Sequence, residues 1–158
     1  MKPVYIINGF LESGKTEFIT YTLAQPYFQV RGKTLLLLCE EGEVEYDEKL
    51  LAQSRTEIEL IEEEKDFHSA HLIELEKKHK PERIIIEYNG MWNCKNMKLP
   101  WHWSVEQQVT TIDASTFPMY FTNMKSLLAE MIRKSELIIF NRCDGVEDPV
   151  SYTHLTLP

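Results

Sequence analysis

A glycine-rich segment near the N-terminus has the pattern of a loop that binds phosphate. Residues 9–16, with the sequence GFLESGKT, match G-x-x-x-x-G-K-[ST]. Its two glycines permit backbone angles that a side chain would forbid, so successive N–H groups can turn inward around an anion. Lys15 is expected to reach the β- and γ-phosphates of a nucleotide, and the Thr16 hydroxyl to bind Mg²⁺. The predicted phosphate-binding residues are Gly9, Glu12, Ser13, Gly14, Lys15 and Thr16.

An apolar run that ends in an acid supplies a second part of this site. Residues 83–87 read RIIIE, which predicts a buried strand with Glu87 at its end. In P-loop proteins such a strand end lies beside the phosphate loop, where its carboxylate holds Mg²⁺ or orients the attacking water. We therefore predict Thr16 and Glu87 at the metal, and Lys15 and Glu87 as catalytic residues. Gly90 follows closely, and its backbone N–H is expected at the γ-phosphate.

A third segment has the pattern of a loop that recognises a nucleotide base. Residues 137–144, LIIFNRCD, run from an apolar strand into N-x-x-D. The Asp144 carboxylate can accept two hydrogen bonds from the N1 and N2 donors of guanine, a donor pair that adenine lacks. Asn141 is expected to brace the loop, and the Arg142 stem to cover one face of the base. The pattern favours GTP over ATP.

The order of the predicted elements indicates how these segments are brought together. Strands and helices alternate along the chain, and most strands are apolar throughout, as in a parallel sheet covered on both faces. This predicts an α/β fold of three layers, the P-loop NTPase fold, with a mainly parallel sheet and helices on both faces. The predicted strands are 3–8, 34–39, 57–61, 83–87, 109–113 and 137–141, and the predicted helices are 17–24, 48–53, 66–79 and 118–134.

Length and charge restrict the organisation and the partners. The 158 residues are enough for one domain, which we assign to 1–150, and the aperiodic tail 151–158 is expected to be a non-native end. With 25 acidic and 17 basic residues the net charge is −8, which disfavours nucleic acid or an anionic membrane as a partner. The three cysteines form no disulfide framework, so we expect a cytoplasmic protein.

Taken in order, these segments resemble the CobW/HypB/UreG family of GTPases, and the resemblance covers about residues 2–146. The matching pieces, with the family patterns in parentheses, are 9–16 (GFLGAGKTT), 41–44 (within NEFGEVGID), 87–90 (E-x-x-G), 109–113 (VVTVVDA) and 135–144 (ADVIVLNKTD). The resemblance implies a GTP-binding domain with weak, Mg²⁺-dependent GTPase activity that often delivers Zn, Co or Ni to a client metalloprotein. It also implies a role for Glu43 near the nucleotide or the metal, and we name Glu43 as a third catalytic candidate.

The chain also departs from the family pattern. Many members carry a C-x-C-C metal motif after the third strand, whereas residues 61–66 here contain no cysteine. This segment therefore supplies no soft thiolate ligands for Zn²⁺ or another transition metal, which disfavours a role as a metallochaperone. Arg142 stands where the family usually has Lys, which removes no donor that the mechanism needs. The family usually continues beyond the guanine loop, so we expect this chain to be C-terminally truncated.

Two other functions are consistent with the same residues. One is a binding module gated by nucleotide that has no useful turnover. The other is an ATP-dependent small-molecule kinase, which would be distinguished by its base preference. For the GTPase, we expect GTP and GDP as ligands and a homodimer or another partner that completes the site.

Overall fold

A computed structural model describes residues 1–42 and 44–143 of the chain. Within these residues, six strands form one sheet in which every neighbouring pair runs parallel, in the order β3-β2-β4-β1-β5-β6. The predicted roles of Glu43 and Asp144, and the tail 151–158, lie outside the described residues. The strands are β1 (Lys2–Asn8), β2 (Thr34–Leu38), β3 (Thr56–Leu60), β4 (Arg83–Glu87), β5 (Trp103–Asp113) and β6 (Leu137–Asn141).

Helices cover both faces of this sheet because the strands are apolar on both sides. The helices are α1 (Lys15–Leu23), α2 (Glu48–Gln53), α3 (Ser69–His79), α4 (Phe117–Asn123) and α5 (Lys125–Arg133). On one face, buried side chains from α3, α4 and α5 pack against residues such as Ile6 and Ile86. On the other, α1 packs against residues such as Ile7 and Ile85, and Leu50 of α2 joins this cluster. The predicted α/β fold with helices on both faces is confirmed.

The connections change direction between β1 and β4, the two central strands. From β1 the chain crosses to β2 on one side, and from β4 it crosses over β1 to β5 on the other. Crevices at such a reversal, at the carboxyl ends of the strands, are where α/β sheets bind ligands. Ile7 is the register partner of Glu87, so the segments that follow β1 and β4 emerge side by side at this edge.

Helix α3 begins at Ser69 rather than at the predicted residue 66, and the structure differs from the predicted elements more strongly at two other places. The predicted helix 118–134 is two helices, because Met124 leaves the helical region at φ −132° and ψ 39°. Thr122 and Asn123, just before the break, are poor helix formers. Strand β5 begins at Trp103 rather than at residue 109, since its first residues pair with the start of β1 across an irregularity between Val4 and Tyr5.

Candidate functional site

The segment between β1 and α1 folds into a compact loop. Three of its residues have positive φ angles: Gly9 at 148°, Glu12 at 61° and Gly14 at 102°. The Ser13 N–H donates to the Phe10 carbonyl at 3.1 Å, which closes a tight turn. Helix α1 begins directly after Gly14, so the positive end of its dipole faces the loop. This is the backbone arrangement expected for an anion cradle.

Neighbouring strands hold this loop from one side. Asn141, the last residue of β6, donates from Nδ2 to the Ser13 carbonyl at 2.8 Å. The Ser13 hydroxyl is hydrogen-bonded to the Thr111 hydroxyl of β5 at 2.8 Å. A Cβ added at Gly14 would lie 2.1 Å from Asn141 Nδ2, so a side chain there would disrupt this contact. The fold thus brings together Ser13, Gly14 and Asn141, which are far apart in the sequence.

Gly90 contacts the loop from the other side, after β4. A Cβ added at Gly90 would lie 2.3 Å from the Gly9 carbonyl oxygen and 2.7 Å from Phe10 Cα. Such distances to backbone atoms leave no room for a side chain, because backbone cannot rotate away as a flexible side chain can. The close approach brings the Gly90 N–H to the phosphate loop.

The Lys15 side chain folds back over the loop. Its ammonium donates to the Gly9 carbonyl at 2.6 Å and lies 3.4 Å from the Phe10 carbonyl. It also forms an ion pair with Glu40 Oε1 at 2.6 Å, and only 3% of the Lys15 side chain is exposed. The other carboxylate oxygen of Glu40 accepts from the Gly90 N–H at 3.1 Å. One carboxylate therefore joins the ammonium to the backbone donor.

Glu87 lies next to α1 and is almost fully buried, with 2% exposure. Its Oε1 accepts from the Thr16 hydroxyl at 2.8 Å, and its Oε2 accepts from the Tyr46 hydroxyl. Burial raises the pKa of Glu87, although hydrogen bonds from Tyr46 and Thr16 and the charge of Lys15 act in the opposite direction. A carboxylate and a hydroxyl are the hard oxygen ligands that Mg²⁺ prefers, so the predicted pair Thr16 and Glu87 fits this ion.

Arg142 lies across the outside of the loop. Its guanidinium donates to the Glu12 carbonyl and to Asp113 Oδ2, the latter at 3.2 Å. It also lies 3.5 Å from Glu17 Oε1. Arg142 has a positive φ of 55°, as expected where the chain turns after β6. The residue that was predicted to cover the base thus links the phosphate loop to the ends of β5 and β6.

The loop, Glu40 and Glu87 surround a cavity whose charged side chains are mostly acidic. Four of the lining residues are glutamates and one is a lysine, which leaves an excess of negative charge around a loop suited to an anion. A bound divalent cation would offset that excess. The lining residues are Leu11, Glu12, Gly14, Lys15, Thr16, Glu17, Glu40, Gly42, Val44 and Glu87.

Other polar residues do not assemble into a metal site in the part of the chain that the structure describes. Within residues 1–42 and 44–143, no three His, Cys, Asp or Glu side chains are grouped so that they could hold an ion. Nor does any helix in these ranges have the length and apolarity needed to cross a membrane.

Two site residues were missed at the level of sequence. Glu40 lies two residues after the end of β2, and Glu87 is the last residue of β4, so a similar signal, an acid close to the end of an apolar strand, could have identified it. Tyr46 lies in the acidic loop before α2, and nothing in its sequence context indicates that its hydroxyl reaches Glu87. Only the tertiary structure brings this loop to the end of β4.

Comparison with known proteins gives one finding. The family model described as "CobW/HypB/UreG, nucleotide-binding domain" matches residues 3–156, nearly the whole chain. No curated protein and no solved structure gives a significant match.

Proposed function

The chain belongs to the CobW/HypB/UreG family, and we propose that it binds GTP and hydrolyses it slowly with Mg²⁺. The proposal rests mainly on one observation. The buried Lys15 ammonium lies over the turn of residues 9–14, and the Gly90 N–H lies beside it. A loop of this kind at the head of a helix, with a lysine folded over it, is suited to the terminal phosphates of a nucleotide.

Each residue then has a role in phosphoryl transfer. Lys15 and the loop N–H groups of Glu12 and Gly14 would stabilise negative charge on the transferred phosphoryl group, and the Ser13 N–H would join them by giving up its bond to the Phe10 carbonyl. Thr16 and Glu87 would hold Mg²⁺, which when bound neutralises charge on the β- and γ-phosphates. The excess of glutamates around the cavity supports this requirement for a cation. The role of Glu43 in positioning the attacking water stays a prediction.

Selectivity for guanine would come from the loop after β6. Asp144 would accept hydrogen bonds from the base, and Asn141 would keep the loop against the phosphate cradle. The Asn141 contact to the Ser13 carbonyl at 2.8 Å supports the bracing role. The bonds that Arg142 makes to Asp113 and to the Glu12 carbonyl support its place at the same edge.

Slow turnover is expected because P-loop domains often need a charge-stabilising group from a partner. A second copy of the chain or a client metalloprotein would supply it, in the cytoplasm. These partners, and a metallochaperone role, stay predictions that follow from the family.

A nucleotide titration tests the proposal. With Mg²⁺ present, GTP and GDP should bind, and ATP should compete about five- to 150-fold less well, because a mismatch with a base-recognising carboxylate costs about 1–3 kcal/mol. Asp144→Ala should remove this preference without abolishing binding. Equal competition by ATP in the unsubstituted chain would favour the kinase instead. Single-turnover hydrolysis would separate a slow GTPase from a binding module without turnover.

A further inference from the structure

The Glu40 carboxylate occupies the donors that a γ-phosphate would use. We propose that Glu40 is an internal substitute for this phosphate and that it sets the preference of the site between GDP and GTP. This inference rests on the proposed function and extends it to the selection of the bound state.

The first support is the pairing of two donors by a single carboxylate. Oε1 of Glu40 contacts the Lys15 ammonium at 2.6 Å, and Oε2 accepts from the Gly90 N–H at 3.1 Å. These are the two groups expected at a γ-phosphate, which like a carboxylate presents adjacent anionic oxygens. The Gly90 backbone packs against the loop so closely that an added Cβ would lie 2.3 Å from the Gly9 carbonyl oxygen. The fold therefore sets the position of the Gly90 N–H relative to Lys15.

The second support is the burial of the ion pair. The Lys15 and Glu40 side chains are 3% and 10% exposed, so water solvates the ammonium poorly. A buried charge that loses its partner is strongly destabilising, and Lys15 therefore needs an anion at this position in every state. Two anions on the same donors would repel each other. The γ-phosphate and the Glu40 carboxylate should therefore exclude each other.

The third support is the way in which Glu40 is attached. The preceding residue is held, because the Cys39 N–H donates to the Glu87 carbonyl at 3.0 Å and Asn89 Nδ2 donates to the Cys39 carbonyl at 3.2 Å. After Glu40 the chain becomes exposed at Glu41 and Gly42. The Glu40 side chain can thus move while β2 stays in place.

The position of the Glu40 side chain would therefore differ between the two nucleotide states. With GDP bound, Glu40 can keep its contact to the Gly90 N–H. With GTP bound, the carboxylate must leave both donors.

The test is the ratio of the dissociation constants for GDP and a non-hydrolysable GTP analogue, measured by calorimetry with the full chain. Glu40→Gln removes the competing charge and should shift this ratio about tenfold in favour of the triphosphate, a typical coupling between two states. Glu41→Gln is the matched control, since it removes the same charge from an exposed neighbour, and it should leave the ratio unchanged. Repeating both titrations in EDTA separates this competition from effects on Mg²⁺.

The outcomes distinguish this inference from the proposed function. If Glu40→Gln binds both nucleotides with the ratio of the unsubstituted chain, the inference is overturned and the GTP site stands. If neither protein binds a guanine nucleotide, the proposed function fails, and the inference with it. Glu40→Asp retains the charge but is too short to bridge both donors, so it should shift the ratio in the same direction. If Glu40→Gln does not fold, the ratio of dissociation constants measured with Glu40→Asp tests the inference in its place.

Discussion

Two glutamates lie at opposite ends of the parallel strands, which we call the carboxyl edge and the amino edge of the sheet. Both accept several hydrogen bonds, but the pKa of one is raised and the pKa of the other is lowered. Glu87 lies at the carboxyl edge, where its donors are the uncharged hydroxyls of Thr16 and Tyr46. Glu76 of α3 lies at the amino edge, where Oε1 is bonded to Trp103 Nε1 at 2.8 Å and to His102 Nε2 at 2.7 Å. The Lys2 ammonium lies 4.0 Å from its other oxygen.

The pKa values of these two carboxyl groups shift in opposite directions. Burial raises the pKa of Glu87, and its hydrogen bonds do not compensate. Burial acts the same way on Glu76, but bonds from Trp103 and His102 and nearby positive charge outweigh it and lower the pKa. The hydrogen bonds and charges around Glu76 stabilise its carboxylate more than burial destabilises it. Around Glu87 they do not offset the effect of burial on the carboxylate. An under-compensated buried carboxylate next to a hydroxyl is suited to a cation that the chain does not itself supply.

The two edges should differ most in how a lysine substitution changes the affinity for nucleotide. Lys15→Ala should weaken GTP binding about 100-fold, because charged hydrogen bonds to phosphate are lost in a buried site. Lys2→Ala, at the amino edge, should change the affinity less than twofold. Calorimetric titration of both variants measures the difference. Equal losses would contradict the assignment of the binding site to the carboxyl edge.

The two edges should also differ in the loss of stability when a glycine is replaced by alanine. Gly90→Ala should destabilise the fold by about 2–3 kcal/mol, because its Cβ meets the fixed Gly9 carbonyl at 2.3 Å. Gly32→Ala, at the amino edge, places its Cβ 2.8 Å from Glu82 Oε2, which can rotate away, and 3.0 Å from Glu82 Cβ, which needs to shift by only a few tenths of an ångström. It should cost less than about 1 kcal/mol. Urea denaturation would report both values, and a tolerated Gly90→Ala would mean that the loop is looser than described.

Neutral substitutions of the two glutamates should change stability in opposite directions. At pH 8, Glu87→Gln should raise the free energy of unfolding by about 1 kcal/mol and abolish Mg²⁺-dependent hydrolysis, as expected where function costs stability. Glu76→Gln should lower it by about 1 kcal/mol, since charged hydrogen bonds become neutral ones. Thermal denaturation measures both. A loss of stability in each variant would remove the distinction between the two edges.

The smallest effect is on the dependence of stability on pH. Because the pKa of Glu76 in the folded chain lies below its ordinary value of 4.5, its contribution is present above pH 4.5 and is lost as the pH falls through the lowered value. Glu76→Gln should therefore lose less stability between pH 5 and pH 3 than the unsubstituted chain, by less than about 1 kcal/mol. Denaturation midpoints at these two pH values test this, with Glu74→Gln, an exposed neighbour in α3, as the control.

The sequence by itself determined the parallel sheet, the strand β4 and the family. Apolar runs such as residues 83–87 predict buried strands, and the loop 9–16 is recognisable because its spacing is local in the chain.

Only the tertiary structure decided which anion the Lys15 ammonium meets and what completes the contacts of Glu87. Glu40 is 25 residues from Lys15 and Tyr46 is 41 residues from Glu87. These pairs form because parallel strands place their carboxyl ends together whatever their separation in the chain. The break at Met124 was also missed, since the apolar pattern continues through it. Local patterns predict elements, but the charge balance of a buried site depends on packing between them.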